Sequence, residues 1–329
     1  MTPPALPLVG FAVATLLALA AACGLGSTPM SAERVLVALL GGGDAGDRLV
    51  VWEIRLPRAL AAFLAGAALG ASGAALQGLF RNPLAEPGVL GVSATASLTA
   101  TFFLYYGLAS LSAWALPVAA IAGALAATAL IAVAAVFTRS IVTLILIGIG
   151  IASFTGAAMS LLMNLAPHPY ALSDMINWML GSVANRSVDD IALAAPFLLL
   201  GLIILYGSRR GLAALTLGEE AAAGIGLNLL RQRAATVLGA GLSTGASVAL
   251  AGVIGFVGIV APHIVRPLVA HDPARSLAPS ALLAGLLLVL ADIGVRLIPS
   301  EQELRLGVVA ALVGAPVFVW IVVRRGVRE

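Results

Sequence analysis

The chain has 329 residues, 61% of them hydrophobic and only 10% charged, where soluble domains carry roughly a quarter charged residues. That excludes an ordinary soluble enzyme or binding module. At about 20 apolar residues per spanning helix, the length admits one polytopic membrane bundle and no separate soluble domain. The net charge of +3 comes from single arginines scattered between apolar runs rather than from a stripe or patch, so nucleic-acid binding is excluded as well.

Apolar runs bounded by charge, proline or glycine predict an all-α fold, a transmembrane bundle of about ten helices. The expected spans lie near residues 5–25, 57–79, 89–108, 114–137, 141–164, 190–207, 234–254, 256–270, 279–298 and 306–323. The first ends in LAAAC at Cys23, which looks like a lipoprotein cleavage site, but no positive segment precedes it and a retained helix is expected. Cys23 is the only cysteine, so no intramolecular disulfide or cysteine-based metal cluster can form. The second and seventh spans carry GAALGASG (Gly66 to Gly73) and GAGLSTG (Gly239 to Gly245), whose small residues let helices approach closely where lipid gives no hydrophobic drive. The eighth is short and rich in glycine and proline.

An even number of spans puts both termini on one side. With the N-terminus in the cytoplasm, Arg81, Arg139, Arg209, Arg210, Arg231, Arg233, Arg266, Arg275, Arg324, Arg325 and Arg328 fall inside, and Arg34, Arg48, Arg55, Arg58, Arg186, Arg296 and Arg305 outside. That balance agrees with the positive-inside rule. Glu301 and Glu303 are among the acids expected outside.

One stretch is out of place in a lipid-soluble chain. LTLGEEAAAGIGLNLLRQR, Leu215 to Arg233, combines two glutamates, a small-residue core and two arginines between the sixth and seventh spans. Acids at a helix start favour the N-terminal dipole, and the segment lacks the aromatic and basic faces of a lipid-lying helix. A short cytoplasmic helix facing a protein partner is expected. Every basic side chain here is arginine, and a Walker A loop needs a lysine to reach the terminal phosphates. If ATP drives this protein, the ATPase is another chain.

Asp292, in VLADIGVRL, is the acid set deepest in an apolar run, and such a residue is costly unless paired. Arg296 follows at i+4 on the same helical face, so an internal ion pair is expected. The alternative is a proton-relay carboxylate, which would make the protein a secondary transporter. His168 and His263 have no second ligand at metal spacing, and no nucleophile or dinucleotide motif is present.

The segment WEIRLPRALAAFLAGAALGASGAALQGLFRNPLAEPGVLGVS, Trp52 to Ser93, resembles the FecCD-like permeases of ABC importers for iron-siderophores, haem and vitamin B12. So do WMLGSV (Trp178 to Val183), LGEEAAAGIGLN (Leu217 to Asn228), AGVIGFVGIVAPHIVR (Ala251 to Arg266), ADIGVR and LGVVAALVGAPVFVWIVVRR. The match runs in order over nearly the whole chain. It implies a single permease domain over 1–329 with the type II importer fold in the bacterial inner membrane. It also implies a homodimer, two cytoplasmic ATP-binding subunits that use the ATP, and a periplasmic substrate-binding protein. By that likeness, about 215–231 is the segment that couples to the ATPase, with Leu217, Gly218, Glu219, Glu220, Gly224, Leu227, Arg231 and Arg233 as its contact residues. The resemblance likewise implies that Arg55, Arg58 and Arg296 dock acidic residues of the binding protein, with Arg296 shared with Asp292 or given up to one partner. One departure stands out: the family's ELPxG reads ELRLG here, with Arg305 at the proline position.

For the cargo, NPLAEPGVLGVS is similar to haem and vitamin B12 permeases, which places haem first, vitamin B12 next and a ferric siderophore third. No permanently bound cofactor is implied. Met159, Met163, His168, Leu172, Met175 and Met179 are candidates to line the translocation path, and their helical spacing suits core packing equally well.

Overall fold

The computed structural model describes residues 5–26, 29–138, 140–298 and 303–326. Arg139, Arg328 and Glu301, used above in the charge balance, lie outside the described residues, as do the side chains of Arg324 and Arg325.

The described residues form helices and no strands. In chain order these are α1 (Ala5–Gly24), α2 (Ala32–Leu39), α3 (Ala45–Leu49), α4 (Leu56–Phe80), α5 (Val92–Tyr105), α6 (Ala115–Phe137) and α7 (Ile141–Asn164). Then follow α8 (Pro169–Met179), α9 (Val188–Ala214), α10 (Glu219–Gly224), α11 (Leu229–Ala251), α12 (Val257–Val265), α13 (Pro273–Leu297) and α14 (Leu306–Gly326). A π-helical turn, Val50–Arg55, joins α3 to α4. Among the described residues, seven helical stretches are long and apolar enough to cross a membrane, and Val92–Tyr105, Val257–Val269 and Leu306–Trp320 are shorter apolar ones. Together they fall on the expected spans.

The bundle is organised around α4, whose small residues are buried along most of its length. A Cβ added at Gly66 would come within 2.5 Å of the Ala284 carbonyl of α13, and one at Gly73 would run into the Gly258 carbonyl of α12. Glycine is therefore required by backbone approach, as expected where packing rather than lipid holds helices together. Ser247 Oγ of α11 donates to Ala65 O at 3.2 Å, and Ser72 Oγ of α4 donates to Ala240 O at 3.4 Å. These two bonds fix α4 and α11 antiparallel.

Two of the expected spans are not continuous helices. α12 has nine residues, about 14 Å at 1.5 Å per residue, half of a hydrocarbon core of about 30 Å. Its first turn meets α4 at Gly73, well below the outer turns of that helix, and the level above is supplied by the non-helical run Gly252 to Phe256. Gly252 and Phe256, at the ends of that run, both take positive φ. α5 likewise starts part-way along α7, because Gly91 with φ of 74° packs on Ile151 and Ala152. Irregular backbone at such depth survives only where protein or a cavity covers it.

The two ends of the bundle differ. α1 finishes and α14 begins beside Asp292, so the described chain starts and finishes at the opposite end, which also carries Glu219.

Candidate functional site

At the Asp292 end, burial forces charge pairing. Asp292 is 1% exposed. Arg58 Nε and Nη2 donate to Asp292 Oδ1 at 2.9 and 2.8 Å, and Arg296 Nη2 donates to Oδ2. The i,i+4 pair read from sequence is present, joined by a second guanidinium from 234 residues away. Arg58 also pairs with Glu303, and Arg296 Nη1 donates to Ala22 O at 3.0 Å. A carboxylate between two guanidiniums is satisfied in place, which removes the reason for reading it as a proton relay.

The docking expectation needs correction at Arg55. Its side chain is turned inward, 4% exposed, and Nη1 donates to Cys23 O and Gly24 O at 2.9 and 2.8 Å. The last carbonyls of α1 have no partner within their own helix, and Arg55 caps them. It is a tie between α1 and the turn before α4 rather than a surface charge. Arg58 and Arg296 do lie at this end, but their charge is already met by Asp292 and Glu303.

At the Glu219 end, α9 closes in a 3-10 turn, Leu215–Leu217, and Gly218 reverses the chain at φ 96°. The six-residue α10 follows, and Asn228 caps α11 by accepting from Arg231 N at 2.9 Å. The result is a small knob projecting between α9 and α11. Glu219 and Arg233 do not face outward as a pair of contacts: Arg233 Nη2 donates to Glu219 Oε1 at 2.7 Å, with the arginine side chain 7% exposed. Together they hold the knob to α11. Leu227 is half-buried beneath it. Glu220, Gly224 and Arg231 are exposed, Gly218 is half-buried, and Leu217 and Ile225 show 66% and 68% of their surface. Ile225 was missed in the sequence because an isolated isoleucine in an apolar chain carries no signal.

The expected path residues do not form one surface. Met175 of α8 is fully buried and Met159 of α7 is buried, while Met163, Leu172 and Met179 are half-buried. His168 is exposed and caps α8, its Nδ1 accepting from Ala171 N at 3.0 Å. Sequence reading also passed over Glu86. Its carboxylate lies beside the start of α12, 3.8 Å from a Cβ built at Gly258, where the helix dipole favours an anion.

The molecule is thus a helical bundle broken at two spans, closed by charge pairs at one end and carrying a projecting knob at the other. The FecCD transport family model matches residues 12–324, and the chain belongs to that family. It is 41% identical over 294 residues to the ABC transporter permease protein YvrB of Bacillus subtilis, covering 87% of this chain and 82% of that one. It is 40% identical over 282 residues to the vitamin B12 import system permease protein BtuC of Yersinia enterocolitica, covering 84% and 82%. A solved structure of an inward-facing metal-chelate type ABC transporter superposes with a TM-score of 0.87 at 28% identity, over 96% of this chain and 98% of the other. This chain is thus a multi-pass ABC importer permease. ATP hydrolysis belongs to separate partner subunits, and the family works with a substrate-binding protein.

Proposed function

We propose that the chain forms a homodimer in the inner membrane, with both termini and the Glu219 end in the cytoplasm, and moves a metal–tetrapyrrole inward by alternating access. The observation that carries the coupling is the knob. A six-residue helix flanked by exposed Leu217 and Ile225, tied to α11 through Glu219 and Arg233, is shaped to enter a groove on an ATPase. Movement there is passed to α9 and α11 as a rigid-body shift. Arg58 with Glu303 lies where a periplasmic binding protein would meet the other end, and an acidic partner side chain could exchange with Glu303 there.

For the cargo, the BtuC relatives carry vitamin B12 in their name, and this supports cobalamin ahead of the haem expected from NPLAEPGVLGVS, with a ferric siderophore third. The test is ATP-dependent uptake into proteoliposomes holding this chain, its ATPase and its binding protein, with cobalamin, haem and a ferric siderophore offered in parallel. Cobalamin accumulation supports the reading. Accumulation of haem or siderophore alone moves the cargo and keeps the machinery, and uptake driven by a proton gradient without ATP overturns it.

A further inference from the structure

We infer that the Glu219 end holds a second contact for the ATPase beside the knob, a small basic cavity that takes one acidic side chain of that partner. The inference rests on the importer reading given above. The cavity, about 250 Å³, lies between the last turns of α4, the turn joining α12 to α13 and the start of the knob. Gln77, Arg81, Thr216, Arg266, His271 and Asp272 line it.

Its shape follows from local backbone. Gln77 and Arg81 are four residues apart and share one face of α4. A Cβ at Gly78 would stand 3.0 Å from Pro273 Cβ, so the first turn of α13 lies close against α4. α12 runs into the 3-10 turn Arg266–Val269, and the chain then reverses through Ala270 and His271 at φ of 56° and 62°. His271 N donates to Arg266 O at 2.9 Å and Asp272 N donates to Val269 O at 3.2 Å, which fixes that reversal. Arg81 ends α4 at φ 49°. Two of the lining residues, Arg81 and His271, thus hold a left-handed conformation that non-glycine residues rarely take.

The charge of the lining is positive and open to water at Arg81. That arginine is exposed and, among the described residues, makes no hydrogen bond or ion pair. Arg266 Nη2 donates to Gln77 Oε1 at 2.7 Å, which holds a second guanidinium against α4. Asp272, the acid in the lining, is already engaged. Its Oδ1 caps α13 by accepting from Ala274 N at 2.8 Å, and its Oδ2 pairs with Arg275 Nε at 3.1 Å. The cavity is smaller than the roughly 300–1,000 Å³ of small-molecule sites, which suits a side-chain carboxylate better than a nucleotide or a tetrapyrrole. Thr216 precedes the exposed Leu217, so the cavity is continuous with the knob. A partner seated on Leu217 brings its own surface over Arg81, where complementary charge would set the register.

The chain contains no lysine, so Arg81→Lys introduces a single side-chain amine at the rim of the cavity. The full-length variant in nanodiscs is assembled with its ATPase and treated with a carbodiimide, which joins an amine to a carboxylate in contact with it. Peptide mapping by mass spectrometry is expected to find position 81 joined to an aspartate or glutamate of the ATPase. Arg210→Lys, at an exposed position outside the cavity, is expected to give no such product, and an equal yield there would show indiscriminate contact and overturn the site. A product with this chain's own carboxylates would mean that the cavity is closed from within, and an intact complex with no product at position 81 would leave it to an ion or a lipid. Either result overturns the site.

Charge reversal separates this site from the knob. Arg81→Glu is expected to keep the melting temperature and weaken ATPase association about five-fold at low salt, with the difference from wild type fading by about 0.5 M salt. Serine at both Leu217 and Ile225 is the reference. Weakened association in that double variant with none in Arg81→Glu overturns the cavity and leaves the knob standing. Full association in both overturns the coupling reading and the cavity with it.

Discussion

The Asp292 end and the Glu219 end treat charge in opposite ways. At the first, Asp292, Arg58 and Arg296 are drawn together and largely buried beneath an exposed Glu303, and Arg55 is spent on backbone carbonyls. At the second, the Glu219 to Arg233 ion pair fastens a knob whose flanking apolar residues are left in the open. One end is therefore held by mutual pairing, so disturbing it costs stability. The other is held locally and presents a surface, so disturbing its tip costs an interaction and leaves the fold alone.

The sharpest way to break this contrast is Asp292→Ala, which strands two buried guanidiniums. A loss of about 3–5 kcal/mol is expected, seen as a large fall in melting temperature in detergent, whereas a shift near zero would show the cluster to be solvated. Next comes Gly73→Ala, which forces a methyl against the Gly258 backbone; about 1–3 kcal/mol should be lost. Its control is Gly207→Ala in α9, where nothing lies within 4 Å of the added Cβ. That change should be neutral or slightly stabilising through helix propensity. Glu219→Gln removes the ion pair with Arg233 and should both lower stability modestly and weaken coupling of ATP hydrolysis to uptake, measured in the same proteoliposomes. Glu220→Gln, at an exposed position, should leave melting within about 0.5 kcal/mol of wild type.

The spans were legible in the sequence because hydropathy over about 20 residues is a long, additive signal. The breaks at α5 and α12 were not, since Gly-Val-Ile-Gly-Phe is apolar and reads as helix until Gly252 and Phe256 are seen at positive φ. The Asp292 to Arg296 pair was legible because i,i+4 is a local geometry. Arg58 was not legible as the second partner, because it reaches Asp292 only through the packing of α4 on α13. Arg55 misled for a related reason: an arginine beside a span end looks the same in sequence whether it meets water or caps α1. The knob could be placed from its composition, yet its inward and outward residues could not be sorted. The Glu219 to Arg233 bond crosses a turn whose shape Gly218 and Asn228 set.

The most direct test of the two-ended design is to replace Leu217 and Ile225 together by serine and measure ATPase association and ATP-driven uptake alongside the melting temperature. The expected result is an unchanged melt with association weakened at least ten-fold and uptake lost. Full association and uptake in the double variant would contradict the assignment of the knob as the coupling surface.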